Sequence, residues 1–172
     1  MPGYFGDPDV EGSSNNIYQL NLKTFIWVKL EPAGNKPLHR DKLLGWEYEN
    51  KCVTSIAALD EYTNCINFSF RIYFFGGFGT PPMDGAQSHE FVHDRSHNWY
   101  MGRGWNNELV AYNIKSNRWE RPETKGEKPS PRAALAGFRS HSQVYVFGGR
   151  LLEERMNDLY TLDLKTMTWS DK

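Results

Sequence analysis

The sequence predicts an all-β chain assembled from repeated four-stranded antiparallel units. Three observations predict it. A thirteen-residue segment occurs three times, as "NNIYQLNLKTFIW" at 15–27, "NELVAYNIKSNRW" at 107–119 and "NDLYTLDLKTMTW" at 157–169. Two aromatic-rich runs, "RIYFFGG" (71–77) and "QVYVFGG" (143–149), each end in a glycine pair. Aromatic residues make up 15% of the 172, a content that suits strands, where large rings pack across a pleated surface.

Each thirteen-residue copy opens on Asn (Asn15, Asn107, Asn157) and closes on Trp (Trp27, Trp119, Trp169). Apolar residues alternate between these marks until a polar Lys-Thr/Ser turn precedes the Trp, the pattern of a two-stranded hairpin. The runs before the glycine pairs read as a further strand. Paired glycines after it let the backbone turn sharply or approach a neighbour where a Cβ would clash. Upstream again lie "DKLLGWEY" (41–48) and "RAALAGFRS" (132–140), each after a Pro-containing turn. The unit is therefore four strands, a to d, with the glycine pair closing b and the Trp opening d.

Trp119 and Trp169 are 50 residues apart, whereas Trp27 and Trp119 are 92 apart. The excess splits into two insertions, at 52–70 between strands a and b and at 80–104 between b and c. The expected organisation is a partial unit at 1–30 holding strands c and d, a complete unit at 37–121 with both insertions, and a third at 129–172. A repeat of this period is the signature of solenoids and propellers.

The bulk numbers exclude several functions. Twenty Lys+Arg against 21 Asp+Glu give a formal net charge of −1. No basic run exists to track a phosphate backbone, so nucleic acid is not an expected partner. No stretch approaches the roughly 20 apolar residues of a membrane span, and the start "MPGYFGDPDV" has no secretory pattern. Cys52 and Cys65 lack metal-site spacing, and point to a reducing compartment with free thiols.

One motif invites an enzyme reading. His89-Glu90-Phe91-Val92-His93 spells H-E-x-x-H, with His97 beyond it, and on a helix the two His would grip zinc. Only about ten residues there are free to be helical, which is marginal. His97 lies eight residues from His89, a rise of roughly 12 Å, too far for one metal. The expectation is no metal, no cofactor and no catalytic residue.

The four-stranded unit with its glycine pair and spaced Trp resembles the kelch repeat, one blade of a β-propeller. Closer still, "RGWNNELVAYNIKSNRW", "KPSPRAA" and "VFGGRLLEERMNDLYTLDL" look like the kelch domain-containing protein 1 and 2 group. The resemblance implies an all-β kelch propeller fragment of about two and a half four-stranded antiparallel blades. It implies a non-enzymatic role: substrate recognition for a cullin-2 RING ubiquitin ligase, reading C-terminal degrons that end in Gly-Gly. The partners implied are degron peptides and, in a longer protein, elongin and cullin-2 through a segment not present in this sequence. The compartment implied is nuclear or cytoplasmic.

Site residues carry over singly. Arg150 and Arg155 stand where the group's Arg residues grasp a C-terminal carboxylate, a task suited to the planar guanidinium fork. Lys42, Arg103 and Trp105 match pocket-lining positions, and Phe78 stands where the group has a Tyr. The competing reading of the Arg pair is solvation or pairing with Glu153 and Glu154. The competing function is a kelch scaffold that binds some other protein through its loops. A ring in the family has six blades, so an isolated wedge of these units is expected to self-associate or partly unfold.

Overall fold

A computed structural model describes residues 14–53, 66–81, 90–96 and 102–172. The described elements are all strands. The first hairpin is β1 (Ile17–Leu20) and β2 (Trp27–Leu30). Next come β3 (Ala33–Gly34), β4 (Arg40–Asp41), β5 (Leu44–Val53), β6 (Ile66–Phe75) and β7 (Phe78–Gly79). They are followed by β8 (Phe91–His93), β9 (Gly104–Asn106), β10 (Leu109–Asn113) and β11 (Arg118–Glu120). The last group is β12 (Lys125–Gly126), β13 (Ala136–Ser140), β14 (Gln143–Leu151), β15 (Glu154–Asp163) and β16 (Thr168–Asp171).

Two five-stranded sheets carry the fold, ordered β3-β11-β10-β6-β5 and β12-β16-β15-β14-β13. Within each, the four long strands are antiparallel neighbours, and a two-residue strand from upstream pairs parallel with the strand that holds the Trp. The β1–β2 hairpin is a sheet of its own, and β4-β7-β9-β8 form a small sheet.

The thirteen-residue repeat explains the hairpins. Asn21, Asn113 and Asp163 occupy one repeat position, and each side-chain oxygen accepts backbone N–H groups two or three residues on, as from Lys23, Ser116 and Lys165. That is an Asx turn, the reason for the residue type. Four residues later Phe25, Asn117 and Met167 all take positive φ, between 47° and 56°.

The three units stack face to face. Leu109 and Ala111 of β10 point to one side, into a cluster with Trp46, Tyr73, Phe75, Val144, Val146, Leu162 and Trp169. Val110 and Tyr112 point to the other, with Trp119, towards Ile17 and Leu30 of the first hairpin. β10 is therefore buried on both faces, and its unbroken apolar run Leu109-Val110-Ala111-Tyr112 follows from that. Each large apolar side chain so buried contributes roughly 1.5–3 kcal/mol. The ring of Phe75 meets Trp169 at 5.0 Å across the interface between the two large sheets.

A buried Arg repeats with the fold. Arg40 pairs with Glu108 and donates to the Gly76 carbonyl at 3.2 Å. Arg132, at the same repeat position, holds Asp158 with two bonds, at 2.6 and 2.9 Å, and donates to the Gly148 carbonyl at 3.0 Å. Both guanidinium groups are almost wholly buried, at 3% and 1% exposure, which is tolerable only because the acid and the carbonyl satisfy them. Burial pulls the Arg40 guanidinium below its ordinary value, and Glu108 opposes that shift.

The first glycine pair follows the end of β6 at Phe75, as expected, but the second differs from the expected strand end. In the third unit β14 continues through Gly148 and Gly149 to Leu151, with the register slipping between Phe147 and Gly149. The pair is thus a bulge inside a longer hairpin. Gly76 and Gly77 (φ 69° and 108°) and Gly148 and Gly149 (φ 61° and 105°) share the conformation that only glycine adopts freely. The hairpin of β5 and β6 also runs further than expected, to Cys52↔Asn67 and Val53↔Ile66. Residues 54–65 of that insertion lie outside the described residues.

Candidate peptide-binding rim

Phe78 and Arg150 each follow a glycine pair, and the fold places them at equivalent points of adjacent units. Phe78 pairs across β7 with Asp41, and Arg150 pairs in the same way with Ala133. Their second cross-strand partners are also equivalent. Phe78 faces Trp105 of β9, and Arg150 faces Arg155 of β15. Four of the six candidate residues therefore occupy one structural position taken twice.

In the earlier unit the cluster is aromatic and closed. The Phe78 and Trp105 rings meet edge to face at 5.0 Å. The Arg103 guanidinium lies over the Phe78 ring at 4.9 Å, a cation–π contact. It also donates to Asp41 at 3.3 Å and to the Phe78 carbonyl at 3.4 Å. Arg103 and Trp105 are buried. Sequence reading assigned Arg103 as a pocket-lining residue; its pairing with Asp41 neutralises part of its charge inside the cluster.

In the later unit the same position is cationic and open. Arg150 is exposed, donating to the Leu152 carbonyl at 2.6 Å and to Glu153 at 3.1 Å. Arg155 makes no ion pair with any described residue. Directly opposed side chains on an antiparallel pair lie about 4.5–5.5 Å apart at Cβ, and like charges there repel. An anion placed between the two guanidinium groups relieves that repulsion and receives bonds from both.

Lys42 joins the two halves. It is exposed, and its carbonyl accepts the Ala134 N–H at 2.9 Å, one residue from the Ala133 that pairs with Arg150. Lys42 and Ala134 are repeat counterparts, and both sit at positive φ, 53° and 54°. The structure thus gathers Phe78, Arg103 and Trp105 into one cluster and opposes Arg150 to Arg155. Lys42 is tied to the second group through backbone alone.

The H-E-x-x-H stretch is not helical where it is described. Phe91–His93 is strand β8, paired with β9, and His89 and His97 lie outside the described residues. Among the described residues no three His, Cys, Asp or Glu side chains gather as a metal site.

Sequence reading missed the residues that hold this rim in place: Arg40, Arg132, Glu108, Asp158 and Asn107. A signal existed. Arg40 and Arg132 have the spacing of Trp27 and Trp119, and Glu108 and Asp158 that of Trp119 and Trp169.

Stacked sheets, each with four antiparallel strands and a short parallel one, and glycine pairs before their rim residues define a β-propeller-type fold. The chain belongs to the kelch-repeat family. Residues 55–172 match the KLHDC2/KLHL20/DRC7 Kelch-repeats domain. Human Kelch domain-containing protein 1 is 36% identical over 98% of this chain and 38% of its own length. Bovine Kelch domain-containing protein 2 is 32% identical over 97% of this chain and 37% of its own length. Kelch domain-containing protein 10 of Xenopus tropicalis is 27% identical over 98% of this chain and 45% of its own length. The chain therefore spans under half the length of these relatives.

Proposed function

We propose that this segment is part of a substrate receptor that captures the C-terminal carboxylate of a peptide, with a preference for ends in Gly-Gly. The observation that carries the reading is the direct opposition of Arg150 and Arg155 on one hairpin. Two guanidinium forks at that separation suit a carboxylate, which accepts several charge-assisted bonds at once. Phe78 and Trp105 would supply an apolar wall against which a side-chain-free glycine end packs closely. Phe78 brings a ring without a hydroxyl, so it offers no hydrogen bond to the peptide. In a longer polypeptide carrying this segment, the bound protein would be presented to a cullin-2 RING ligase through elongin, in the nucleus or cytoplasm.

A second reading is favoured by one contact. Arg150 already pairs with Glu153, so the rim partly neutralises itself, as a general kelch scaffold with a non-carboxylate partner would tolerate. Alanine at Arg150 separates the two. Loss of a hydrogen bond to a charged group costs about 1.5–3 kcal/mol, so free-acid peptide binding falls about tenfold or more on the first reading. Unchanged affinity for a Gly-Gly peptide would leave the scaffold reading.

A further inference from the structure

Leu152 and Glu153 turn the chain between β14 and β15, and both hold Arg150. Leu152 sits at positive φ, 55°. Its carbonyl accepts the Arg150 Nε–H at 2.6 Å, and Glu153 Oε2 accepts from Nη2 at 3.1 Å. Nε and Nη2 form one edge of the guanidinium, an edge that grips a carboxylate with two parallel bonds. Two oxygens of the chain itself therefore occupy the places that the two oxygens of a bound carboxylate would take.

The neighbouring unit carries the same device in a locked form. Phe78 and Trp105 are the counterparts of Arg150 and Arg155, so Arg103, two residues before Trp105, is the counterpart of Glu153. Arg103 covers the Phe78 ring as Glu153 covers Arg150. Asp41 anchors Arg103 from the facing strand, and Arg103 is buried. The counterpart of Asp41 is Ala133, whose methyl group can anchor no charge. The Glu153 side chain is 85% exposed, and among the described residues Arg150 is its one partner. An exposed ion pair of this kind is weak and readily exchanged.

We propose that the Leu152–Glu153 turn is a displaceable cap on the carboxylate site, and that Glu153 sets how tightly the site holds a peptide end. The inference rests on the carboxylate reading of Arg150 and Arg155 given above. With no peptide bound, the Glu153 carboxylate neutralises Arg150 where it opposes Arg155. An arriving C-terminal carboxylate displaces Glu153 and takes the same edge of the guanidinium. Glu153 then turns into water, where an exposed acid is well solvated. Every ligand that takes this edge must first break the Glu153 bond, so the cap lowers affinity by the strength of that one pair.

Binding of a labelled peptide ending in Gly-Gly to the protein that carries this segment tests the cap, with Glu153→Ala and Glu154→Ala. Both side chains are exposed, so circular dichroism should show both variants folded. Glu153→Ala should tighten free-acid binding about two- to fivefold, the scale of one exposed ion pair. Glu154→Ala removes the same charge one residue on, from a side chain that does not pair with Arg150, and should change affinity little. In an Arg150→Ala background the gain from Glu153→Ala should vanish. If the free acid outbinds the amidated peptide but Glu153→Ala gains nothing, the cap is overturned and the carboxylate site stands. Equal gains from Glu153→Ala and Glu154→Ala would overturn the cap as well, being the mark of general charge repulsion. Acid and amide that bind alike in wild type and in both variants would overturn the site itself, and the cap with it.

Discussion

The Arg132 guanidinium uses its donors on Asp158, Ser130 and the Gly148 carbonyl, and lies 5.5 Å from the Tyr160 ring. Arg40 does the equivalent work one unit earlier, where Glu108 also accepts from Arg121 at 2.8 Å. The two acids differ in burial: the Glu108 side chain is 5% exposed and that of Asp158 is 37%. Removing one partner of a deeply buried pair costs about 3–5 kcal/mol, so Glu108→Gln should destabilise by that order in urea unfolding. Asp158→Asn should cost less, because water screens its carboxylate. Hydrogen bonds from Arg132 hold the Asp158 carboxyl below its ordinary value of 3.8. A carboxylate depressed on folding stabilises the fold fully above its unfolded value and loses that contribution as pH falls through the folded one. The difference in stability between wild type and Asp158→Asn should therefore be largest near neutral pH and shrink below about pH 4. A difference that is the same at both ends of that range would remove Asp158 from the account.

Joints between units rest on a repeated Asn. The Asn15 side-chain amide donates to the Pro37 carbonyl at 2.8 Å, and that of Asn107 to the Pro129 carbonyl at 2.9 Å. Each Asn opens a strand c hairpin and holds the chain entering the next unit. Asn107 also accepts the Glu90 N–H at 2.8 Å and is 2% exposed. Asn107→Ala should cost about 1–3 kcal/mol, the penalty of leaving buried groups unpaired, and Asn15→Ala, at a half-buried site, should cost less. Equal losses in thermal unfolding would contradict this. The thirteen-residue pattern made these hairpins and their turns legible, since Asx chemistry and period-2 alternation are local. It did not reveal that the second glycine pair, Gly148-Gly149, is a bulge. A register slip belongs to two strands, and "VFGG" alone does not say whether its partner continues. A Cβ on Gly77 would lie 2.8 Å from the Asp41 carbonyl oxygen at φ 108°. Gly77→Ala should therefore destabilise by about 1–3 kcal/mol, whereas a mere strand end would absorb it.

Across the whole molecule the stack of units was readable because the Asn-to-Trp hairpin and the strand before each glycine pair recur with the same buried positions and turns. The rim was readable only in part. Arg150, Arg155, Phe78 and Trp105 were found one by one through resemblance, while their equivalence needs strand register, which sequence spacing blurs across the 80–104 insertion. The buried Arg–acid pairs went unread because "HRD" and "PRA" look like surface loops until the acid far along the chain folds against them. If the rim binds a peptide carboxylate as proposed, changing that carboxylate and nothing else must change binding. Fluorescence anisotropy would compare a labelled peptide ending in Gly-Gly as the free acid with the same peptide amidated, on the protein that carries this segment. The amide should bind about tenfold or more weakly, and Arg150→Ala should weaken the acid but leave the amide unchanged. Equal binding of acid and amide would contradict the claim.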